Sequence, residues 1–194
     1  MSVSDRQRWD AKYAAKPVPE QLAADAWLME QVASLPPGRA LELACGLGHN
    51  AIWLAQQGWE VDAVDVSPVG LRLASELADR HHAKVHWIAS DLDEFTAPPG
   101  TYDLILVFRF LDRARLPAII EQALRPGGRL LYETFTLAHI SRPESHMKNQ
   151  AFALAPGELP ELFPRLATLS YSELTLPDRD VARLVAQRRT RGEP

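Results

Sequence analysis

The sequence predicts an α/β fold: a three-layer, doubly wound, mostly parallel sheet of seven strands with helices on both faces. Between residues 40 and 135, short apolar runs alternate with segments of helical periodicity, which is typical of βαβ units around a buried parallel sheet. Residues 166–176 and 181–188 contain two further apolar runs joined at Pro177-Asp178. Since these runs follow each other without a helix between them, they predict an antiparallel C-terminal hairpin.

Apolar runs and turn residues predict the elements of the central region in order. The five strands are predicted at residues 40–44, 61–66, 85–89, 104–108 and 129–135. The helices between them are predicted at residues 50–55, after Ser67-Pro68, and at residues 116–124. Arg125-Pro126-Gly127-Gly128 predicts a turn before the fifth strand. Two N-terminal helices are predicted at residues 4–14 and 20–35, with a break at residues 16–19.

Composition excludes several classes of protein. The single cysteine excludes a disulfide framework, and no Cys/His group has the spacing of a structural zinc site. The polar first ten residues lack the apolar segment of a signal peptide, and no apolar stretch is long enough to cross a membrane. A net charge of −4 argues against general affinity for nucleic acid. We therefore expect a cytoplasmic protein of about one domain, whose oligomeric state the sequence leaves open.

A glycine-rich turn and an acidic residue follow the first two predicted strands. The first strand leads into Gly46-x-Gly48-x-x-Ala51, a spacing that lets a ligand approach the backbone but also occurs in ordinary tight turns. Asp65 ends the second strand, 19 residues after Gly46, near the spacing at which a carboxylate binds ribose hydroxyls. Alternatively, Asp65 caps the helix that begins near Pro68.

Two more carboxylates are predicted near the same edge of the sheet. Asp91 lies just beyond the third strand, where it suits an adenine edge, although a solvated turn residue explains it equally simply. Glu42 lies within the first strand, four residues before Gly46. A carboxylate there suits a ligand with a positive amino group better than a pyrophosphate. The acids therefore indicate a nucleoside ligand that carries positive charge.

Five segments that occur in order carry a family resemblance. They are residues 41–48, 62–67, 90–92, 102–108 and 124–130. Together they resemble the S-adenosylmethionine-dependent methyltransferases with a seven-stranded, Rossmann-like sheet. The turn from Cys45 to Asn50 and the Trp9-Asp10-x-x-Tyr13 opening are most similar to the small tellurite-resistance and thiopurine-methyltransferase-like branch. His49 stands where that branch usually has arginine.

The resemblance implies which residues bind S-adenosylmethionine at the end of the first two strands. Gly46 and Gly48 let the backbone pass the methionine part, with Asn50 at the end of the same motif. Glu42 lies near the amino group, and Asp65 takes the ribose hydroxyls.

The resemblance also implies which residues contact the adenine and the sulfonium, and which residue covers the bound cofactor. Val66 lies beside the adenine, Asp91 bonds to its amino group, and Leu92 supplies a backbone N–H. Phe108 borders the sulfonium through its carbonyl. Tyr13 closes over the cofactor from the N-terminal segment.

The implied activity is transfer of the methyl group of S-adenosylmethionine to a small-molecule acceptor by in-line displacement. The chain then divides into a helical cap (residues 1–36), a cofactor-binding core (37–135), and a substrate loop with the C-terminal hairpin (136–194). No metal or covalent intermediate is needed, because a sulfonium methyl is already electrophilic.

Acceptor contacts are expected from Arg109, after the fourth strand, and from the loop at residues 136–150. In that loop Arg142, His146 and Asn149 are the candidates. We expect Arg109 and Arg142 to form an anion pocket and His146 to act as a base where the acceptor carries a proton. A solvated polar loop is the simpler alternative. Arg183 alternates with apolar residues, which predicts an exposed position on a strand.

Other functions remain open from the sequence. The chain could bind S-adenosylmethionine without catalysis, or methylate tRNA or protein, which the acidic net charge disfavours. An NAD-dependent oxidoreductase shares the fold and the ribose acid, but Glu42 and the absence of a third glycine at Ala51 argue against it.

Overall fold

The computed structural model describes residues 3–190, and the side chains of residues 5–190. Its strands are β1 Arg39–Leu43, β2 Glu60–Asp65, β3 His86–Ala89, β4 Tyr102–Phe108, β5 Leu124–Phe135, β6 Leu166–Thr175 and β7 Asp180–Arg188. Its helices are α1 Val3–Ala14, α2 Ala26–Val32, α3 His49–Gln56, α4 Pro68–Arg80, α5 Leu116–Ala123, α6 Leu137–Ile140 and α7 Glu158–Glu161, with a 3₁₀ helix at Gln150–Phe152.

The strands form a seven-stranded sheet in the order β3-β2-β1-β4-β5-β7-β6. The pairs β1–β2, β2–β3 and β4–β5 are parallel. β7 is antiparallel to both β5 and β6. The mostly parallel sheet with an antiparallel C-terminal hairpin is therefore confirmed. The chain divides into two compact units, with unit 1 ending at Thr96 and unit 2 beginning at Ala97; the prediction of a single domain with three parts stays a prediction.

β1 and β2 lie at the centre of unit 1. All residues of these two strands except the first of each are buried. The apolar faces of α3 and α4 meet at Ile52 and Leu77, which are fully buried and pack against Val85 and Trp87 of the β3 region. Helix α4 begins as predicted, because Ser67 caps it by accepting a hydrogen bond from Gly70 N (3.0 Å). This packing fixes the positions of the two loops that follow β1 and β2.

Helix α2 is shorter than the helix predicted at residues 20–35. It begins only at Ala26, because Asp25 accepts a hydrogen bond from Trp27 N (3.0 Å) and acts as its N-cap. Residues 16–25 contain no helix. An internal cap therefore overrides the propensity of the preceding residues.

In unit 2, the turn predicted at residues 125–128 lies inside β5. The pairing of β5 with β4 shifts between Tyr102 and Leu104, so the four residues form an irregularity within a continuous strand. A side chain at Gly128 would place its Cβ 2.7 Å from the carbonyl oxygen of Tyr102, which requires glycine at this position. The loop predicted at residues 136–150 also differs, because it contains the short helix α6.

Within the described part of the chain, we find no helix whose length and hydropathy would suit a membrane span.

A substitution at Gly48 tests the packing of unit 1. Its φ of +68° is left-handed, and an added Cβ would lie 2.3 Å from the Cη2 atom of Trp87. Gly48→Ala should therefore combine left-handed strain, roughly 1–2 kcal/mol, with overpacking of about 1–3 kcal/mol. Gly100→Ala is the control, because Gly100 has a φ of +61° with no atom within 4 Å of the added Cβ. Urea unfolding should show the larger loss for Gly48→Ala, and equal losses would contradict this packing.

Candidate functional site

The turn after β1 brings backbone groups to the carboxyl end of the strand. Ala44, Gly46 and Gly48 all have left-handed φ angles, of 56°, 58° and 68°. Gly48 N donates to Cys45 O at 2.9 Å and closes the turn. A residue other than glycine adopts this conformation at a cost, so the turn at Ala44 carries local strain.

Asp65 joins this turn to the loop after β2. Its Oδ2 atom accepts a hydrogen bond from Gly46 N at 2.8 Å, and its Oδ1 atom accepts one from Ser67 N at 2.9 Å. Burial raises the pKa of Asp65, which these backbone donors partly offset. Ser67, not Asp65, provides the side-chain cap of α4. The carboxylate therefore lies at the meeting point of two strand ends.

Glu42 is a second buried carboxylate beneath the glycine turn. Its Oε1 atom accepts from Asn50 Nδ2 at 3.1 Å, and its Oε2 atom accepts from Ala51 N at 3.0 Å. Burial raises its pKa to about 7, and both hydrogen bonds oppose this shift. Asn50 also accepts from Asp25 N at 2.9 Å. Asn50 therefore holds Glu42 in place, and its own contact with a ligand stays a prediction.

Tyr13 covers the glycine turn from helix α1. Its side chain is buried, and its hydroxyl oxygen lies 2.9 Å from the position of a Cβ on Gly46. Its ring atom Cδ2 lies 2.8 Å from the corresponding position on Gly70 of α4. Burial raises the pKa of Tyr13, and the charge of Asp65 raises it further. Tyr13 thus lies against the glycine turn and the start of α4, and its closure over the cofactor stays a prediction.

Asp10 of α1 also contacts the start of α4. No role for it was predicted from the sequence. Its Oδ1 atom accepts a hydrogen bond from Ser67 Oγ at 2.5 Å, and Val69 N lies 3.4 Å away. Trp9 stacks on Tyr13 with ring centroids 5.7 Å apart. The Trp9-Asp10-x-x-Tyr13 pattern was visible in the sequence, but the partner of Asp10 is 57 residues away and could not be inferred from it.

The residues predicted to surround adenine lie after β2 and β3. Val66 and Leu92 are buried. Asp91 is partly exposed, and its Oδ1 atom accepts from Asp93 N at 2.9 Å. That hydrogen bond agrees with the alternative interpretation of Asp91 as a turn residue, and a contact between Asp91 and adenine stays a prediction.

In unit 2, Phe108 is the last residue of β4 and Arg109 follows it, as predicted. Phe108 is half-buried, while Arg109 is exposed and has a left-handed φ of 57°. Arg109 N donates to Glu133 O at 2.8 Å, which fixes the backbone at this strand end.

In the predicted substrate loop, one polar candidate is bonded to other parts of the chain and two are exposed. The Arg142 guanidinium bonds to Asp180 and to the carbonyl oxygens of Leu176 (2.6 Å) and Pro177 (3.1 Å). It therefore ties this loop to the turn between β6 and β7, and an anion pocket with Arg109 stays a prediction. Two other candidates, His146 and Asn149, are exposed. Asn149 caps the 3₁₀ helix by accepting from Ala151 N at 3.0 Å.

Sequence reasoning missed a buried charge cluster in unit 2. Glu133 is fully buried and bonds to Arg179 and Arg183. The prediction that Arg183 is exposed is wrong, because its side chain is 17% exposed and pairs with Glu133 across the strands. The alternation of residues in β7 shows which face Arg183 occupies but gives no sign of a charged partner. The described residues contain no group of His, Cys, Asp and Glu that could hold a metal ion.

Comparisons with known proteins identify a family model and several relatives that this chain resembles. Residues 40–128 match the model of a family described as "Methyltransferase domain". A curated relative, Hemagglutinin 1 of Eikenella corrodens, is 36% identical over 107 residues, which are 52% of this chain and 35% of that protein. Ubiquinone biosynthesis O-methyltransferase of Bordetella avium is 27% identical over 179 residues, 87% of this chain and 69% of that protein.

A third relative is TehB of Haemophilus influenzae, a probable S-adenosyl-L-methionine-dependent methyltransferase by its name. It is 25% identical over 146 residues, 72% of this chain and 49% of that protein. Its crystal structure has a TM-score of 0.69 at 20% identity and covers 95% of this chain and 67% of that one. The chain therefore spans only about a third of the length of Hemagglutinin 1 and about half of the length of TehB.

The pKa of Glu42 predicts how stability changes with pH. A folded-state pKa of about 7, above the ordinary value of 4.5, means that the folded protein holds the proton more tightly. The stability that Glu42 contributes is therefore present below pH 4.5 and is lost as the pH rises through 7, by about 3 kcal/mol. Urea unfolding from pH 4 to pH 8 should show this loss in the wild type, beyond any loss in Glu42→Gln.

The control is Glu60→Gln, because Glu60 is an exposed carboxylate at the start of β2. Its profile should run parallel to that of the wild type. Parallel profiles for the wild type and Glu42→Gln would show that Glu42 does not titrate in this range.

Proposed function

We propose that the chain is an S-adenosylmethionine-dependent methyltransferase that transfers the methyl group to a small-molecule acceptor. The match of residues 40–128 to a methyltransferase-domain family and the similarity to TehB support this proposal. The observation that carries this proposal is the buried carboxylate of Asp65, hydrogen-bonded to Gly46 N at the end of β2. The names of two relatives, a ubiquinone biosynthesis O-methyltransferase and TehB, support a small acceptor. Tellurite, thiols, carboxylates and hydroxyls are all compatible with the site.

Asp65 fits a ribose diol. Each of its carboxylate oxygens accepts one backbone N–H, and a carboxylate oxygen can accept more than one hydrogen bond. Two vicinal hydroxyls can therefore bind to a group whose orientation is already fixed. A phosphate at the same place would be repelled by the negative charge, which favours an unphosphorylated nucleoside.

Glu42 suits the ammonium group of the methionine part. Removing a carboxylate from water is costly, and the raised pKa of Glu42 records that cost. A positive charge nearby would stabilise the ionised form and lower its pKa again. Asn50 and Ala51 fix the position of the carboxylate for this purpose.

The remaining cofactor contacts come from apolar and partly exposed residues. Val66 and Leu92 are buried and would border the adenine, with Asp91 at its amino group. Tyr13 lies over the glycine turn and would shield the bound molecule from water. Phe108, at the end of β4, would border the sulfonium through its carbonyl.

The chemistry needs alignment more than activation. Bound S-adenosylmethionine supplies a methyl group on a sulfonium that is already electrophilic. Residues that hold the acceptor in line can supply about 7–11 kcal/mol of the barrier by orientation. Arg109, exposed after β4, is the proposed contact for an anionic acceptor, and Arg142 and Asn149 would support it from the loop. His146 would remove a proton where the acceptor carries one.

The cellular location and the partners of the proposed enzyme are predicted only from the sequence. A cytoplasmic location, no nucleic-acid partner and no membrane partner stay predictions. The oligomeric state is open. Because the chain spans only part of its first relatives, the activity of the whole protein rests on the direct test below.

Asp65→Asn tests the proposed function. The variant keeps the size of the side chain but weakens its acceptors, and hydrogen bonds to charged groups are worth roughly 1.5–3 kcal/mol. Isothermal titration should show that the affinity for S-adenosylhomocysteine falls about 10- to 100-fold. In a labelled-methyl assay over thiol, hydroxyl and oxyanion acceptors, the wild type should label at least one acceptor and the variant far less.

Asp62→Asn is the matched control. Asp62 is a buried carboxylate on the same strand, but it pairs with Arg39 and His86. It should therefore leave the affinity for S-adenosylhomocysteine unchanged. The proposal fails if the wild type does not bind S-adenosylhomocysteine, and binding without any labelled acceptor would indicate a binding protein instead of an enzyme.

A further inference from the structure

Glu42 is a buried carboxylate whose hydrogen-bond donors are both neutral. It is 3% exposed, and it accepts from Asn50 Nδ2 at 3.1 Å and from Ala51 N at 3.0 Å. The Oδ1 atom of Asn50 accepts from Asp25 N at 2.9 Å, which leaves the Nδ2 group for Glu42. Among residues 5–190, no Lys, Arg or His forms an ion pair with Glu42. The described chain therefore supplies no cation to compensate for burying this carboxylate.

The titratable groups that act on Glu42 in the described part of the chain are acidic. From the end of β2, the charge of Asp65 adds to the effect of burial and raises the pKa of Glu42 further. From the turn after β1, Cys45 is close to both carboxylates, and burial raises the pKa of its thiol well above the ordinary value, so the thiol stays neutral. From α3, the contacts are the neutral donors Asn50 and Ala51. Glu42 thus has one negative neighbour and otherwise neutral ones.

Hydrogen bonds decide which of the two buried carboxylates carries a proton. Two carboxylates that share a site do not both ionise readily. Asp65 accepts from two backbone N–H groups, those of Gly46 and Ser67, whereas Glu42 accepts from only one. Because such bonds favour the ionised form, the proton is held at Glu42. Burial raises the pKa of Glu42 to about 7, so a substantial fraction of the folded protein carries this proton at neutral pH.

A cation beside Glu42 would reverse this balance. An opposite charge within about 4–6 Å favours the ionised form of a carboxylate, and the attraction between two charges is stronger away from bulk water. A protonated, uncharged carboxyl group offers an ammonium group no such attraction. Binding of a proton and binding of an ammonium group at Glu42 therefore oppose each other, and each weakens the other by the same factor.

We propose that Glu42 holds a proton in the free protein and releases it to solvent when the ammonium group of S-adenosylmethionine or S-adenosylhomocysteine binds, so that cofactor affinity depends on pH. The inference rests on the proposed function and adds a form of regulation to the same site. Below pH 7 the ligand must displace the proton, so affinity falls, whereas above pH 7 Glu42 is already ionised and affinity levels off. The affinity should therefore be about tenfold lower at pH 6 than at pH 8.

The test compares S-adenosylhomocysteine with 5′-methylthioadenosine, which has the same ribose and adenine but lacks the amino-acid part. Isothermal titration of the full chain at pH 6, 7 and 8 gives both affinities. Titration in two buffers of different ionisation enthalpy gives the number of protons released. At pH 7, S-adenosylhomocysteine should release about half a proton more than 5′-methylthioadenosine. Since both ligands carry the ribose, any titration of Asp65 affects both and cancels from the comparison.

Glu42→Gln keeps the size of the side chain but cannot release a proton. In this variant, S-adenosylhomocysteine should bind with the same pH dependence as 5′-methylthioadenosine. Glu60→Gln is the control, and it should keep the wild-type profile because Glu60 is exposed at the start of β2. The comparison of the two ligands on the wild type needs no variant, so it decides the matter if Glu42→Gln does not fold. If 5′-methylthioadenosine binds too weakly to titrate, proton release by S-adenosylhomocysteine in the wild type and Glu42→Gln decides it.

The proposal is overturned if the wild type binds both ligands with the same pH dependence and proton release. It is also overturned if folded Glu42→Gln releases as many protons as the wild type on binding S-adenosylhomocysteine. A wild type that fails to bind S-adenosylhomocysteine at all three pH values would count against the proposed function instead.

Discussion

The hydrogen bonds of Asp65 organise the site, because one carboxylate joins the loops that follow two neighbouring strands. It accepts from Gly46 N on one side and from Ser67 N on the other. Ser67 in turn caps α4 and donates to Asp10 of α1. Through this chain of contacts, Tyr13 comes to lie over the glycine turn. Hydrogen bonds therefore connect the end of β2 to the glycine turn, to the start of α4 and, through Ser67, to helix α1.

This arrangement costs stability where the ligand is expected to bind. Glu42 and Asp65 are both buried, and burial raises the pKa of each. Two carboxylates near each other repel, and the charge of Asp65 adds to the shift of Glu42. A structure selected for stability alone would avoid this pair, whereas a site for a cationic nucleoside gains from it. In the proposed function, the site would therefore lose folding free energy and gain affinity for the ligand.

The sequence predicted the features that depend on local patterns. The strands, the glycine turn and the start of α4 at Ser67-Pro68 were visible because periodicity, glycine spacing and helix-start residues act over a few positions. The long-range partners were not visible. The sequence placed Arg142 in an anion pocket for the acceptor and gave no sign of its bond to Asp180, 38 residues away. Pairing of Glu133 with Arg179 spans 46 residues, and only the register of β5 with β7 brings them together.

Two deviations in the fold have the same origin. The four residues expected to form a turn before the fifth strand remain in β5, because pairing with β4 continues on both sides of them. Helix α2 starts late because the cap at Asp25 outweighs the helical propensity of residues 20–24. In both cases a specific contact overrides a local preference, which sequence patterns do not record.

The most direct test of this account is a crystal structure of the protein with S-adenosylhomocysteine. The account predicts that both ribose hydroxyls donate to the Asp65 carboxylate, with the amino group on the Glu42 side of the glycine turn. If the ligand instead binds elsewhere on the chain, with Asp65 contacting only Gly46 and Ser67, the central claim is wrong.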